Sequence, residues 1–244
     1  MKILKGIFNL LYPIKCIKCG KPGNYLCPGC NQTLIRHKNN RCAFCGELSR
    51  NGQSCPDCLL KTSINQVLIC FEYDQETLKS LIYLLKYKSV RLIARDLAHI
   101  YFKELVKLIK LDNPKKTLIT CTPMHQKKEL IRGYNQASQI AGCLSQLLNL
   151  PFLPDLLVKI KPTKAQMALQ NHSARKLNLK NSIKLNDKYT EKNLLKNKTV
   201  LIVDDIMTTG ATFLECSKIL SGSELNQIIA LAFARQFLSS KTKT

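Results

Sequence analysis

The chain lacks tryptophan, is poor in aromatic residues and has few acidic residues for its basic content. Aromatic side chains make up 7% of the residues, so no base-stacking platform is evident from the sequence. No apolar run approaches the roughly 20 residues that a membrane-spanning helix needs. The apolar start at 1–11 is interrupted by Lys5 and is followed by no cleavage site, so we expect a short amphipathic helix rather than an export signal. These absences predict a cytoplasmic protein without a transmembrane segment.

Basic residues are in large excess and are concentrated in two regions. The chain has 38 Lys and Arg against 16 Asp and Glu, a net charge of +22. Residues 1–61 carry a net charge of +8 and residues 159–198 carry +9. Such regions attract phosphates and nucleic acids, although a generally lysine-rich, solvated surface explains the same excess.

Eight of the twelve cysteines form four Cys-x-x-Cys pairs, each able to offer two thiolates to one metal ion. The pairs are Cys16 and Cys19, Cys27 and Cys30, Cys42 and Cys45, and Cys55 and Cys58. In a reducing compartment this pattern predicts two structural Zn²⁺ sites rather than disulfides. Short spacers favour tandem pairing, and crossed pairing stays open. His37 could replace a cysteine, but a surface role is favoured. Four further cysteines lie in apolar segments and are predicted core residues: Cys70, Cys121, Cys143 and Cys216.

The end of the cysteine-rich region predicts a boundary near residue 62. Residues 1–61 would hold the N-terminal helix and a double zinc-ribbon module, and residues 62–244 a larger α/β domain. Apolar patterns predict strands at 67–73, 117–123, 155–160, 199–205 and 227–234, and helices at 77–87, 92–110, 135–148 and 212–220. This alternation indicates a parallel sheet with helices on both faces, where ligands bind at the carboxyl ends of the strands.

The segment 200–212, VLIVDDIMTTGAT, combines a buried strand with an anion-binding turn. Thr208, Thr209 and Thr212 offer hydroxyl groups, while Gly210 and Ala211 let main-chain amides approach a phosphate at the start of a helix. Asp204 and Asp205 would repel a phosphate, but they suit the 2′- and 3′-hydroxyls of a ribose and can influence a Mg²⁺ shell. An Asp-rich turn that only caps a helix would leave the threonine cluster unexplained. The segment therefore predicts a ribose 5-phosphate site.

At all thirteen positions this segment resembles the phosphoribosyl diphosphate (PRPP) signature of type I phosphoribosyltransferases. Three further segments are similar to the ComF/ComFC competence family, of which a double zinc ribbon is also typical: LLKYKS (84–89), PMHQKKELIRGYNQA (123–137) and KIKPTKAQMALQNHSARKLN (159–178). The resemblance implies a type I phosphoribosyltransferase-like fold that binds PRPP with Mg²⁺. It implies catalytic roles for Asp204 and Asp205, and a 5′-phosphate loop made by Thr208, Thr209, Gly210, Ala211 and Thr212.

The resemblance also implies two further loops around the same site. A pyrophosphate loop would contain Lys127, Lys128, Arg132 and Gly133, since cations suit a diphosphate. A flexible loop would contain Gln166 and Arg175 as ligand contacts. The sequence departs from the family there, with lysines at 159 and 161 in place of arginines and a different segment at 178–183.

The family implies a role in natural transformation, in uptake or processing of single-stranded DNA, with other competence proteins at the inner membrane as partners. A phosphoribosyl transfer reaction would displace pyrophosphate from PRPP. The alternative is a phosphoribosyltransferase for an unknown small acceptor with no direct DNA role. Thr208 stands where enzymes for 6-oxopurines place an acid, which disfavours that kind of purine salvage. His125 is a candidate base, and a positioning role is equally favoured.

Overall fold

The computed structural model describes residues 13–87, 92–109, 113–161, 181–190 and 194–237. The predicted N-terminal helix and the predicted flexible-loop residues Gln166 and Arg175 lie outside the described residues. In the described part of the chain, no helix has both the length and the apolar character needed to cross a bilayer.

A parallel four-stranded sheet forms the centre of the protein. In chain order, the strands are β1 (Gln66–Glu72), β2 (Thr117–Cys121), β3 (Leu157–Lys159), β4 (Ile183–Leu185), β5 (Thr199–Met207) and β6 (Gln227–Arg235). The central sheet has the order β1-β6-β5-β2, and all its neighbouring strands are parallel. The predicted parallel sheet is therefore confirmed.

The strand predicted at 155–160 does not join this sheet. It forms β3, which pairs antiparallel with β4 in a separate two-stranded ribbon. The outer edge of β2 is instead bonded by residues 151–153, which precede β3. Ile119 N–H donates to the Pro151 carbonyl, and Leu153 N–H donates to the Ile119 carbonyl. Pro154 follows at once and has no N–H for a further ladder bond, so the chain leaves the sheet before β3 begins.

Helices cover both faces of the sheet, as predicted. The helices are α1 (Pro28–Gln32), α2 (Pro56–Thr62), α3 (Glu76–Tyr87), α4 (Leu92–Leu108), α5 (Gln126–Arg132), α6 (Gln136–Leu148) and α7 (Ala211–Leu220). Alternate side chains of β5 point to opposite faces. Leu201 and Val203 pack in the core that α3, α4 and α6 share, while Val200 and Ile202 pack in the core that contains α7.

The cysteine-rich module lies along the outer edge of β1. His37 N–H donates to the Cys70 carbonyl, and Val67 N–H donates to the Gly52 carbonyl. Between these contacts, the Asn39 side chain donates to the Ile69 carbonyl at 2.8 Å and accepts from the Ile69 N–H at 3.0 Å. An edge strand exposes unpaired peptide groups that invite other chains, and here the module occupies them.

The two halves of the module reach opposite faces of the sheet. Cys16 and Leu26 belong to the core with α3, α4 and α6, whereas Ala43 belongs to the core with α7. The boundary near residue 62 stays a prediction, but the two segments on either side of it share both cores.

Candidate functional site

The eight paired cysteines form two separate clusters in tandem. The first contains Cys16, Cys19, Cys27 and Cys30, and the second contains Cys42, Cys45, Cys55 and Cys58; within each cluster all sulfurs lie within 4.8 Å of one another. The Cys19 and Cys27 sulfurs are 3.6 Å apart, and those of Cys45 and Cys55 are 3.5 Å apart. Tetrahedral zinc with bonds of about 2.3 Å places its sulfurs about 3.8 Å apart, so both clusters fit Zn²⁺. Tandem pairing is confirmed.

Backbone geometry prepares the clusters for metal. Gly20 and Gly46 follow their knuckles with φ of 75° and 83°, the left-handed turn that glycine adopts readily. Burial alone would raise the pKa of Cys16, but main-chain amides of neighbouring residues outweigh it and lower this pKa to about 6. The same balance lowers the pKa of Cys42 to about 7. His37 belongs to neither cluster, and its Nδ1 lies 2.7 Å from Glu72 Oε1.

The remaining cysteines behave largely as predicted. Cys70, Cys121 and Cys216 are buried, while Cys143 is partly exposed and packs against the core. Burial raises the pKa of Cys121 to about 12, as expected for an inert structural thiol.

An open pocket of about 440 Å³ lies beyond the carboxyl ends of β2 and β5. It brings together seven predicted site residues: Lys127, Lys128, Arg132, Asp204, Asp205, Thr208 and Thr212. Four other predicted residues do not line it: Gly133, Thr209, Gly210 and Ala211. The pocket also contains residues that we did not predict, among them Lys86, Tyr87 and Gln236.

The two acids at the end of β5 have different surroundings. Asp204 Oδ1 accepts a hydrogen bond from the Asp205 N–H at 2.9 Å. Burial, followed by the charge of Asp205, raises the pKa of Asp204 to about 7. Asp205 is 8% exposed, and its Oδ2 lies 2.8 Å from Lys86 Nζ. Among the described residues Asp204 forms no ion pair, so it is the acid that is available to a ligand.

Lys86 is the main site residue that sequence reasoning missed. It lies in the last turn of α3, four residues after the buried Ile82 and directly after the buried Leu85. Burial would lower the pKa of Lys86, but the charge of Asp205 reverses this effect and raises it. A lysine on the core-facing side of a helix is rare unless it is paired. Its position on the apolar face could therefore have indicated a buried, paired lysine.

The predicted phosphate loop rests on the knuckle at 42–45, which belongs to the second cysteine cluster. Gly210 has φ of 77° and directly precedes α7. A Cβ at this position would lie 2.7 Å from Met207 Cε and 3.1 Å from Phe44 Cε1. The knuckle is itself attached to β6, because Arg235 Nη2 donates to the Ala43 carbonyl at 2.8 Å. Phe44 therefore packs beneath the turn that the sequence assigns to a phosphate.

The basic side of the pocket is formed by α5. His125 caps this helix, since its Nδ1 accepts from the Lys127 N–H at 3.2 Å, and Gly133 ends it with φ of 83°. Burial and the nearby charges of Arg132 and Lys86 lower the pKa of Lys128. Cations that raise one another's energy in this way would be stabilised by an anion in the pocket.

Comparisons with known proteins agree with this architecture. Residues 7–59 match the double zinc ribbon domain, and residues 135–240 match the phosphoribosyl transferase domain. A hypoxanthine phosphoribosyltransferase from Staphylococcus aureus is 13% identical, with a TM-score of 0.37 over 59% of this chain and 63% of that chain. Fold and sequence together define a phosphoribosyltransferase-like protein with an N-terminal double zinc ribbon.

Two curated relatives cover nearly the whole chain. Competence protein F of Haemophilus influenzae is 29% identical over 92% of this chain and 98% of its own length. The DNA utilization protein YhgH of Escherichia coli is 27% identical over 86% of this chain and 92% of its own length. Both domain matches occur in the same order along the chain, and these similarities support the predicted resemblance to the ComF/ComFC family.

Proposed function

We propose that the protein binds PRPP together with Mg²⁺ in this pocket and acts in the cytoplasm on single-stranded DNA during natural transformation. The observation that carries the proposal is that one pocket combines acidic and hydroxyl groups with several cations. Asp204 and Thr208 line it together with Lys127, Lys128 and Arg132. PRPP has the matching order of groups, with a 5′-phosphate, ring hydroxyls and a diphosphate.

Each group of PRPP has a chemically suitable partner. The hydroxyl groups of Thr208 and Thr212, which line the pocket on either side of the start of α7, suit the 5′-phosphate. The Asp204 carboxylate suits the ribose hydroxyls, and the α5 cations suit the diphosphate. Mg²⁺ prefers oxygen ligands, and Asp204, which forms no ion pair among the described residues, would provide one in this pocket. When bound, Mg²⁺ would neutralise part of the diphosphate charge.

Transfer would break the bond between C1 and the pyrophosphate oxygen, and the bonding electrons would leave with pyrophosphate. The acceptor would form a new bond to C1. Lys127, Lys128 and Arg132 would stabilise the departing charge. A screen for pyrophosphate release with single-stranded DNA and with small nucleophiles separates a DNA-directed transferase from the alternative enzyme for a small acceptor.

The DNA part of the proposal is supported by the relatives and by charge. The relatives are named for competence and for DNA utilization, and this chain has a net charge of +22. Binding through phosphate contacts should weaken steeply with salt. Gel shifts of a single-stranded oligonucleotide across a salt series test this part. No detectable binding at low salt would remove it.

The PRPP part is tested by titration calorimetry with Mg-PRPP. We expect saturable binding to the wild-type protein and at least about tenfold weaker binding to Asp204→Asn, which loses about 1.4 kcal/mol or more. Asp187→Asn is the matched control, because its exposed acid pairs with Lys184 and does not line the pocket. Equal affinity of Asp204→Asn and wild type refutes the assignment of this pocket to PRPP.

A further inference from the structure

Two exposed tyrosines form a pair on α3, and one of them, Tyr87, lines the pocket. Tyr83 and Tyr87 are 51% and 57% exposed, and their ring centroids are 5.2 Å apart. They are four residues apart on α3 and so share one face of the helix. Exposed aromatic side chains that cluster beside a pocket mark a binding surface more often than isolated ones do.

The pair continues into the basic helix α5. The Arg132 guanidinium lies 5.3 Å from the ring centroid of Tyr87, and its Nη1 donates to Gln136 Oε1 at 2.8 Å. Ile131 is 89% exposed and lines the same pocket as Tyr87. The tyrosine pair, Ile131 and Arg132 therefore form one surface, which we name the tyrosine face. It runs from the pocket outward along α3.

The chemistry of the tyrosine face fits one class of partner. Unpaired bases stack on aromatic rings and arginine planes, while the strand's phosphates need cations close by. Lys127 and Lys128 supply such cations on α5, where Glu129 is the single acid. We propose that the Tyr83–Tyr87 pair stacks on unpaired bases of single-stranded DNA, while α5 contacts the adjacent phosphates. This inference rests on the proposed DNA function and assigns the surface that carries it.

The absence of tryptophan from the chain makes a direct test possible. Tyr83→Trp introduces a single tryptophan, whose fluorescence is quenched when a base stacks on it. We expect oligo-dT to quench it and an abasic strand of equal length and charge to leave it unchanged. The matched reporter is Phe237→Trp. Phe237 is also exposed and lies under an arginine, Arg235, at 4.9 Å, but it stands beside His37.

Affinity gives the second readout. Tyr83→Ala/Tyr87→Ala should bind oligo-dT at least about tenfold more weakly, with the affinity for the abasic strand unchanged. Tyr83→Phe/Tyr87→Phe should retain wild-type affinity, because the ring faces remain. Circular dichroism and zinc content verify the fold, and the phenylalanine variant and the tryptophan reporters keep the test valid if the alanine variant unfolds.

The outcomes separate this inference from the proposed function. If the wild-type protein binds no single-stranded DNA at low salt, the DNA function itself fails. Two results would refute the assignment of DNA binding to the tyrosine face. One is equal binding of single-stranded DNA by the wild-type protein and the alanine variant, and the other is equal quenching of both tryptophan reporters. Self-association that the alanine variant loses, with DNA affinity intact, would instead identify a contact between two copies of the chain.

Discussion

At the end of β5, the carboxylate of Asp205 lies 2.8 Å from the ammonium group of Lys86, and both side chains are largely buried. Removing one partner of a buried pair costs about 3–5 kcal/mol, whereas replacing both by apolar residues is often neutral. We therefore expect Lys86→Met to lower the free energy of unfolding by about 3 kcal/mol. Lys86→Met/Asp205→Leu should recover most of that loss. Urea denaturation measures the free energy of unfolding of the wild type, the single variant and the double variant.

An exposed ion pair provides the control. Lys196 lies 2.8 Å from Glu224, and both side chains are about half exposed or more. Solvent screens such a pair, so Lys196→Met should leave the free energy of unfolding nearly unchanged. If Lys86→Met behaved like Lys196→Met, the buried pair would not hold the site together.

The ionisation of Asp204 should make stability depend on pH. Burial, followed by the charge of Asp205, raises its pKa to about 7, against about 3.9 in an unfolded chain. The stability that this group contributes is complete below about pH 4 and is lost as the pH rises through about 7. Relative to Asp204→Asn, the wild-type protein should therefore lose stability between about pH 5 and pH 8. The measurement is the melting temperature of each protein at a series of pH values. If the two melting temperatures changed with pH in the same way, the raised pKa would be contradicted.

Individual residues were predictable where a local pattern exposes their chemistry. The acids and threonines of 204–212 occur in one short segment, and the structure brings four of them into the pocket. Lys86 and Asp205 are in contact although they are 119 residues apart in the sequence. The residues next to Lys86 do not indicate which acid it pairs with. Long-range pairing of this kind depends on how α3 packs against the sheet.

Among the elements, the knuckle at 42–45 and the phosphate loop are in direct contact. Phe44 packs against Gly210, and Arg235 fixes the Ala43 carbonyl. Phe44→Ala should loosen the turn and weaken Mg-PRPP binding about tenfold, equivalent to about 1.4 kcal/mol. Ile17→Ala is the control, because Ile17 lies in the first knuckle and packs against the opposite core. Calorimetry of both variants measures the difference, and equal affinities would mean that the knuckle does not position the loop.

Hydrophobic patterning located most of the helices and strands well. Helix α6 follows its predicted cap Asn135, and β5 and β6 begin where predicted. The partner of β3 could not be predicted, because the apolar segment at 155–160 fits a buried strand of either sheet. Only the path of residues 151–154 along β2 decides its place.

For the molecule as a whole, the cysteine-rich module should be needed to prevent association through the edge of β1. Zinc binding stabilises such small domains, and a strong chelator should unfold them. Removing zinc would uncover the edge of β1, which invites pairing with another chain. We expect chelated protein to form larger species in size-exclusion chromatography, while chelator-treated and zinc-restored protein returns to its original elution volume. Unchanged elution after complete zinc loss would mean that the edge stays covered without metal.

The Asn39 carboxamide has a consequence for how this architecture can vary. Its nitrogen and oxygen act as a substitute peptide unit at an edge where the described residues form no fifth strand. A shortened form without the module would have to build a new strand there, or recruit one from another molecule. The cysteine-rich module thus takes the place of an edge strand beside β1. Deleting it would change the hydrogen bonding of the sheet itself and not only remove a separate module.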